Sequence, residues 1–123
     1  MADQYNAGGE NIYPVEIEDR LLRHECVRDV SIVGIQDDRF GEVVGAFLQI
    51  DPKAAERPSD RNIRTWVEQV LGRHKAPHHV FWLGDADTPS DFPKTGSGKH
   101  QKHILSAVGA EIVKGRRTGK AKL

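Results

Sequence analysis

Two nearly continuous apolar runs, Val27 to Ile35 and Val43 to Ile50, constrain the fold of this chain more than any other feature. Both are rich in β-branched residues, which favour extended backbone, and the polar segment 36–41 separates them. They predict two strands that lie side by side as antiparallel neighbours. Because neither run alternates cleanly with polar residues, the strands require burial on both faces, or burial on one face with a partner domain against the other.

Helical periodicity appears on both sides of these strands. Apolar residues recur at helical spacing in segments 14–23, 60–71 and 104–112, whereas segment 80–83 is a short apolar strand. Helices and strands follow one another without a regular βαβ repeat. The prediction is therefore an α+β fold, in which helices pack on a small, mainly antiparallel sheet. The long loop at 84–98 is of a length that is usually functional or mobile in a small domain.

The length of 123 residues, with 37% hydrophobic and 29% charged residues, fits one globular domain. We predict this domain at residues 1–113, with a hinge segment at 1–10 and a basic, disordered tail at 114–123. No run of about eighteen apolar residues occurs, and the start lacks the basic and apolar regions of a signal peptide. We therefore expect a cytoplasmic protein without a membrane span.

The formal net charge of zero hides an asymmetry along the chain. Residues 94–123 carry eight cations and a single acid, Glu111. The final basic run fits a solvated tail better than a nucleic-acid or phosphate patch, so we predict no nucleic-acid partner. Cys26 fits a small buried hydrophobic residue better than a reactive thiol.

The segment from Asp91 to Lys99 is rich in turn formers and leads into the last helix. It differs from a phosphate-binding P-loop, because Pro93 occupies the position of the first glycine and His100 follows the lysine. Lys99 is instead a cation beside glycines, able to stabilise negative charge that develops on a phosphoryl or carboxylate oxygen. From local chemistry alone, a solvated surface lysine is the favoured interpretation.

The histidines of the chain suggest no metal site. His100 and His103 have helical i, i+3 spacing, but no cysteine or carboxylate completes a ligand set in the sequence. We therefore predict surface histidines at all six positions, which are His24, His74, His78, His79, His100 and His103.

Five segments, taken together, resemble the C-terminal domain of the adenylate-forming enzymes, the superfamily of acyl-CoA synthetases, luciferases and peptide-synthetase adenylation domains. Their order and spacing cover residues 3–110, and the last of them resembles the block that carries the adenylation lysine of acyl-CoA ligases. The segments are Gly8 to Glu18, Val33 to Asp37, Phe40 to Glu42, Lys75 to Pro77, and Pro93 to Lys99 with Gln101 and Lys102.

The resemblance implies a two-step reaction. A carboxylic acid substrate attacks the α-phosphate of magnesium-bound ATP to give an acyl-adenylate, and coenzyme A then displaces AMP. In such enzymes a large N-terminal adenylation domain binds ATP and the acid, and the small C-terminal domain rotates between the steps. That N-terminal domain is the implied partner, and Lys99 is the implied catalytic residue, which would stabilise the adenylation transition state.

The resemblance also assigns residues to the second step. Gly8, Gly9 and Glu10 would line the tunnel for the pantetheine arm of coenzyme A, where absent side chains let the thiol pass. Asp3 falls at the hinge position. Phe40 would stack on the adenine of coenzyme A, and His78 stands where some relatives use a cation.

These features predict the C-terminal domain of an ATP-dependent carboxylic or fatty acid–CoA ligase, inactive when isolated. The alternative is a free-standing, non-catalytic module that docks on a partner through its exposed sheet.

Overall fold

A computed structural model describes residues 5–7 and 10–119; for residues 5–7, 10–11 and 117–119 it describes the backbone alone. A short 3₁₀ turn lies at Arg73–Lys75. The strands and helices are β1 (Tyr5–Ala7), β2 (Glu10–Ile12), α1 (Pro14–Leu22), β3 (Val27–Asp37), β4 (Gly41–Ile50), α2 (Asp60–Leu71), β5 (His79–Trp82) and α3 (Lys102–Gly119).

The main sheet has the order β3–β4–β5, and β1 pairs with β2 in a separate antiparallel hairpin. β3 and β4 are antiparallel, from Val27 opposite Ile50 to Asp37 opposite Gly41. The α+β fold with a mainly antiparallel sheet is thus confirmed. β5, however, lies parallel to β4, with His79 opposite Gly45. The chain returns to the same end of the sheet through α2, which is the crossover that parallel neighbours require.

Both faces of the sheet are buried, so the first of the two alternatives for the apolar strands is correct. Successive residues of a strand point to opposite faces, and β3 and β4 each contain an unbroken run of buried residues. Ile32 and Leu48 pack with residues of α1 and α2 on one face, whereas Ile35 and Phe47 pack with residues of α3 on the other. Helices therefore cover the sheet on each side.

A reciprocal contact locks α1 against α2. Trp66 Nε1 donates to the Arg20 carbonyl at 2.7 Å, and Arg20 Nε donates to the Trp66 carbonyl at 2.7 Å. The Arg20 guanidinium also lies 3.7 Å from the centre of the Trp66 ring. At the start of α2, the Ser59 hydroxyl accepts the Asn62 amide at 3.0 Å, which is the N-cap that its position before the helix favours.

α3 packs closely on β3. Ser106 Oγ donates to the Gly34 carbonyl, and a Cβ at Gly109 would overlap the end of the Ile35 side chain, so the close approach favours glycine. The helix continues to Gly119, so the predicted tail is helical over residues 114–119, and residues 120–123 lie outside the described part. Arg116 explains part of the difference, because it contacts Asp87 at 3.0 Å and lies 5.3 Å from the Phe81 ring.

Among the residues that the structure describes, none of the helices combines the length and the apolar character needed to cross a bilayer.

Candidate functional site

Lys99 lies on a hydrogen-bonded hairpin. Lys94 and His100 form an antiparallel bridge, and the Thr95 amide donates to the Lys99 carbonyl at 2.8 Å. The turn closes through the Gly98 amide, which donates to the Thr95 carbonyl at 2.9 Å, and Gly98 has φ of 90°. This left-handed backbone explains a glycine at that position. The Lys99 side chain is exposed at the end of this ordered turn.

Side chains on both sides of the hairpin hold it against the rest of the domain. The His100 ring stacks on Phe92 with centroids 4.1 Å apart, and His100 Nε2 lies 3.3 Å from Asp29 Oδ2 at the start of β3. Lys102 Nζ donates to Glu18 Oε2 of α1 at 2.7 Å. The Lys99 hairpin is thus attached to the sheet and to a helix, and is more ordered than a glycine-rich loop predicts.

Phe40 and His78 form a second group. The resemblance assigns both residues to the site for coenzyme A. Their rings meet edge to face, with centroids 5.1 Å apart, although the residues come from different loops. Phe40 is 50% exposed, and the Arg39 guanidinium lies 5.2 Å from its ring. The His78 amide donates to the Val44 carbonyl at 2.7 Å, which holds His78 beside β4. An exposed aromatic face between cationic or titratable groups suits a nucleotide base.

Asp37 organises this second group from beneath. Its buried carboxylate accepts through Oδ1 from the Arg39 amide at 2.8 Å and from the Phe40 amide at 3.2 Å. Its other oxygen, Oδ2, lies 3.3 Å from His79 Nε2. Burial lowers the pKa of His79, and the hydrogen bond with Asp37 opposes that effect. Asp37 therefore sets both the loop that presents Phe40 and the orientation of the His79 ring.

The two groups lie at opposite ends of β3. The Lys99 hairpin contacts Asp29 near the start of the strand, whereas Phe40 follows Asp37 at its end. At about 3.3 Å per strand residue, Asp29 and Asp37 are roughly 26 Å apart. A small ligand cannot contact both groups at once.

Some of the predicted site residues lie outside the described residues. Asp3, Gly8 and Gly9 belong to this set, so their predicted roles at the hinge and in the tunnel remain predictions. The backbone of Glu10 pairs with Ala7 in the β1–β2 hairpin.

A family model for the AMP-binding enzyme C-terminal domain matches residues 16–99 of this chain. The chain belongs to the AMP-binding enzyme C-terminal domain family. Lys99 is the last residue of the match, which also contains Asp37, Phe40 and His78. Both groups described above therefore lie within the family region.

Two curated relatives align with most of the chain. Acyl-CoA ligase sidI of Beauveria bassiana is 50% identical over 116 residues, which cover 94% of this chain and 20% of the relative. The putative acyl-CoA synthetase YngI of Bacillus subtilis is 36% identical over 105 residues, covering 85% of this chain and 18% of the relative. The chain thus spans about a fifth of the length of these relatives.

Two solved structures of acyl-CoA synthetases contain a region similar in fold to this chain. The acyl-CoA synthetase of Brucella canis superposes with a TM-score of 0.76 at 28% identity, over 89% of this chain and 19% of that one. The fatty acyl-CoA synthetase of Mycobacterium tuberculosis gives a TM-score of 0.75 at 27% identity, covering 89% of this chain and 20% of that one.

Three residues of this chain have structural roles that sequence spacing does not predict. Thr95 accepts the Lys99 amide at 3.2 Å through its hydroxyl, and Glu18 accepts from both the Ile32 amide and Lys102. Asp37 is 42 residues from His79 in the sequence, so only the folded sheet brings them together. An aspartate directly before a polar turn is the signal that points to Asp37, because such residues cap turn amides.

Proposed function

We propose that this chain is the C-terminal domain of an ATP-dependent acyl-CoA ligase, and that it works with an N-terminal adenylation domain. The observation that carries the proposal is the exposed Lys99, presented on an ordered hairpin at the end of a segment that matches the family. The 50% identity to an acyl-CoA ligase over 94% of the chain supports the reaction class. Fatty acids or other carboxylic acids are the substrates, and ATP with magnesium and coenzyme A are the co-substrates.

In the first step, an oxygen of the substrate carboxylate attacks the α-phosphorus of ATP, and pyrophosphate leaves with the electron pair of the broken P–O bond. Negative charge grows on the α-phosphoryl oxygens as the new bond forms. The Lys99 ammonium stabilises that charge, and its contribution is greatest where the N-terminal domain excludes water. The hydrogen bonds of the hairpin hold the Lys99 backbone in one conformation, which reduces the entropy lost when the side chain is delivered.

In the second step, the thiolate of coenzyme A attacks the acyl carbonyl carbon and AMP leaves. Gly8, Gly9 and Glu10 line the path of the pantetheine arm, Phe40 stacks on the adenine, and His78 lies beside it. Asp3 serves as the hinge. The separation of the Lys99 hairpin from Phe40 supports rotation of the domain between the steps, because the two groups occupy opposite ends of β3.

A chimera tests this proposal. We expect the adenylation domain of the Beauveria bassiana ligase to form little acyl-CoA alone, and to regain thioester formation when this chain replaces the native C-terminal domain. Release of AMP and formation of acyl-CoA are measured with the relative's own acid, and the intact relative serves as the positive control. A chimera that folds but forms no acyl-CoA supports the non-catalytic docking module instead.

Phe40→Ala in the chimera is expected to weaken the use of coenzyme A. Base–aromatic stacking contributes about 1–3 kcal/mol, which corresponds to a rise of roughly 5- to 150-fold in KM for coenzyme A. Steady-state thioester formation at varied coenzyme A measures this change. ATP–pyrophosphate exchange requires no coenzyme A and should remain at the wild-type rate.

Val70→Ala provides the matched control, because Val70 is an exposed apolar residue of α2. We expect its KM for coenzyme A to equal that of the wild type. An unchanged KM in Phe40→Ala would remove Phe40 from the nucleotide site.

A further inference from the structure

Asp37, His78 and His79 place three metal-ligating side chains together at one end of the sheet. One ligand atom from each residue lies within 4.8 Å of those of the other two. Asp37 ends β3, whereas the histidines stand at the start of β5 on the far side of β4. The prediction that no carboxylate accompanies the histidines does not hold at this place in the fold.

The spacing of these atoms is close to that of a tetrahedral metal site. Ligands at about 2.0–2.1 Å from a zinc ion in tetrahedral geometry are roughly 3.3 Å from one another. His79 Nε2 and Asp37 Oδ2 already lie 3.3 Å apart. His78 is exposed, so its side chain can close the remaining distance by rotation about its own torsion angles.

Backbone hydrogen bonds orient the Asp37 carboxylate. Its Oδ1 accepts from the Arg39 and Phe40 amides, and its Oδ2 lies 3.3 Å from His79 Nε2. Hydrogen bonds of this kind orient ligating carboxylates in metal sites.

We propose that Asp37, His78 and His79 form a Zn²⁺ site with one coordination position open to solvent. Two imidazoles and a carboxylate match the ligand preference of zinc, and three protein ligands leave a position for water or for an oxygen of a bound molecule. The site connects the end of β3 with the start of β5 and lies next to the exposed Phe40 ring. This proposal does not rest on the proposed function, because the metal binds the chain itself.

Zinc titration of the untagged chain tests the site. A Cys26→Ser background removes the free thiol as a competing ligand. We expect one Zn²⁺ per chain, measured by competition with a chromophoric chelator, and a visible absorption spectrum of tetrahedral or five-coordinate Co²⁺ when cobalt replaces zinc. Zinc should also raise the Tm, because it binds the folded state.

Variants at the three ligands and at other histidines distinguish this site from general histidine binding. His78→Ala, His79→Phe and Asp37→Asn should each lower zinc affinity at least about 10-fold. Mutation of residues that only orient metal ligands already lowers metal affinity by about 10- to 100-fold, so loss of a ligand should cost no less. His79→Phe keeps a ring, and Asp37→Asn keeps an acceptor for the two loop amides; circular dichroism checks that each variant folds. His74→Ala and His103→Ala, at exposed histidines elsewhere, should bind zinc as the parent does.

Two results would overturn the proposal. One is a parent chain that binds no zinc at micromolar concentrations of protein and metal, which leaves an ordinary hydrogen bond between Asp37 and His79. The other is zinc binding that the folded His78→Ala and His79→Phe variants retain in full.

Discussion

Lys99→Ala in the chimera is expected to reduce acid-dependent ATP–pyrophosphate exchange by about 10²–10³-fold. That factor corresponds to about 2.7–4 kcal/mol, the loss measured when one preorganised charge-stabilising donor is removed from an enzyme. We expect Lys99→Ala to fold normally, because Lys99 is exposed and its side chain belongs to no buried cluster among the described residues. The reduction should fall on kcat as well as on kcat/KM for the acid, because the interaction strengthens in the transition state.

Lys94→Ala is the matched control for this experiment. Lys94 is an exposed lysine of the same hairpin and lies opposite His100 in the bridge, so its removal changes the local charge by the same amount. We expect exchange within about twofold of the wild type, as is usual for a surface charge. Equal losses in both variants would show that the hairpin acts only through its general positive charge.

Thioester formation from a supplied acyl-adenylate separates the two steps. This half-reaction omits the attack on ATP, so Lys99→Ala should form acyl-CoA at nearly the wild-type rate. A large loss in this assay as well would mean that Lys99 acts in both steps or that the substitution disturbs the domain interface.

The strands and helices follow from local sequence to a large extent. The apolar runs that become β3 and β4 predict burial on both faces, or on one face with a partner domain against the other. In the structure, part of each run packs under α1 and α2 and the rest under α3. The helical spacing of apolar residues in segment 60–71 predicts α2 from its first residue to its last. The parallel orientation of β5 escapes prediction, since it depends on where the crossover after β4 returns the chain.

The residues of the candidate site are taken from the resemblance, whereas the contacts that hold them in place are visible only in the fold. Phe40 and His78 are named from the resemblance, and their rings are in contact in the fold. The role of Asp37 depends on a hydrogen bond across 42 residues, and no periodicity records a contact of that kind. The order of the Lys99 hairpin likewise depends on the Thr95 hydroxyl and on the stacking of His100, which composition alone does not reveal.

Phe47→Ala is expected to lower the free energy of unfolding by about 3–5 kcal/mol, the range for removing a buried phenylalanine side chain. Phe47 is fully buried in β4 and stacks on Phe81 with ring centroids 4.6 Å apart. Its ring packs in the cluster that holds α3 on the sheet. A domain of this size has a total stability of about 5–15 kcal/mol, so the change removes a large part of it. Urea unfolding followed by tryptophan fluorescence measures the shift in midpoint at constant m.

Phe40→Ala removes the same side chain from the same β3–β4 region, yet we expect a loss within about 0.5 kcal/mol, because half of the Phe40 surface is already in water. Phe47→Leu should lie between the two, since a smaller cavity remains. Similar urea midpoints for Phe47→Ala and Phe40→Ala would contradict the burial of Phe47 between the sheet and α3. A loss of stability that falls in the order Phe47→Ala, Phe47→Leu, Phe40→Ala would instead show that Phe47 stabilises the core, whereas Phe40 contributes little to stability.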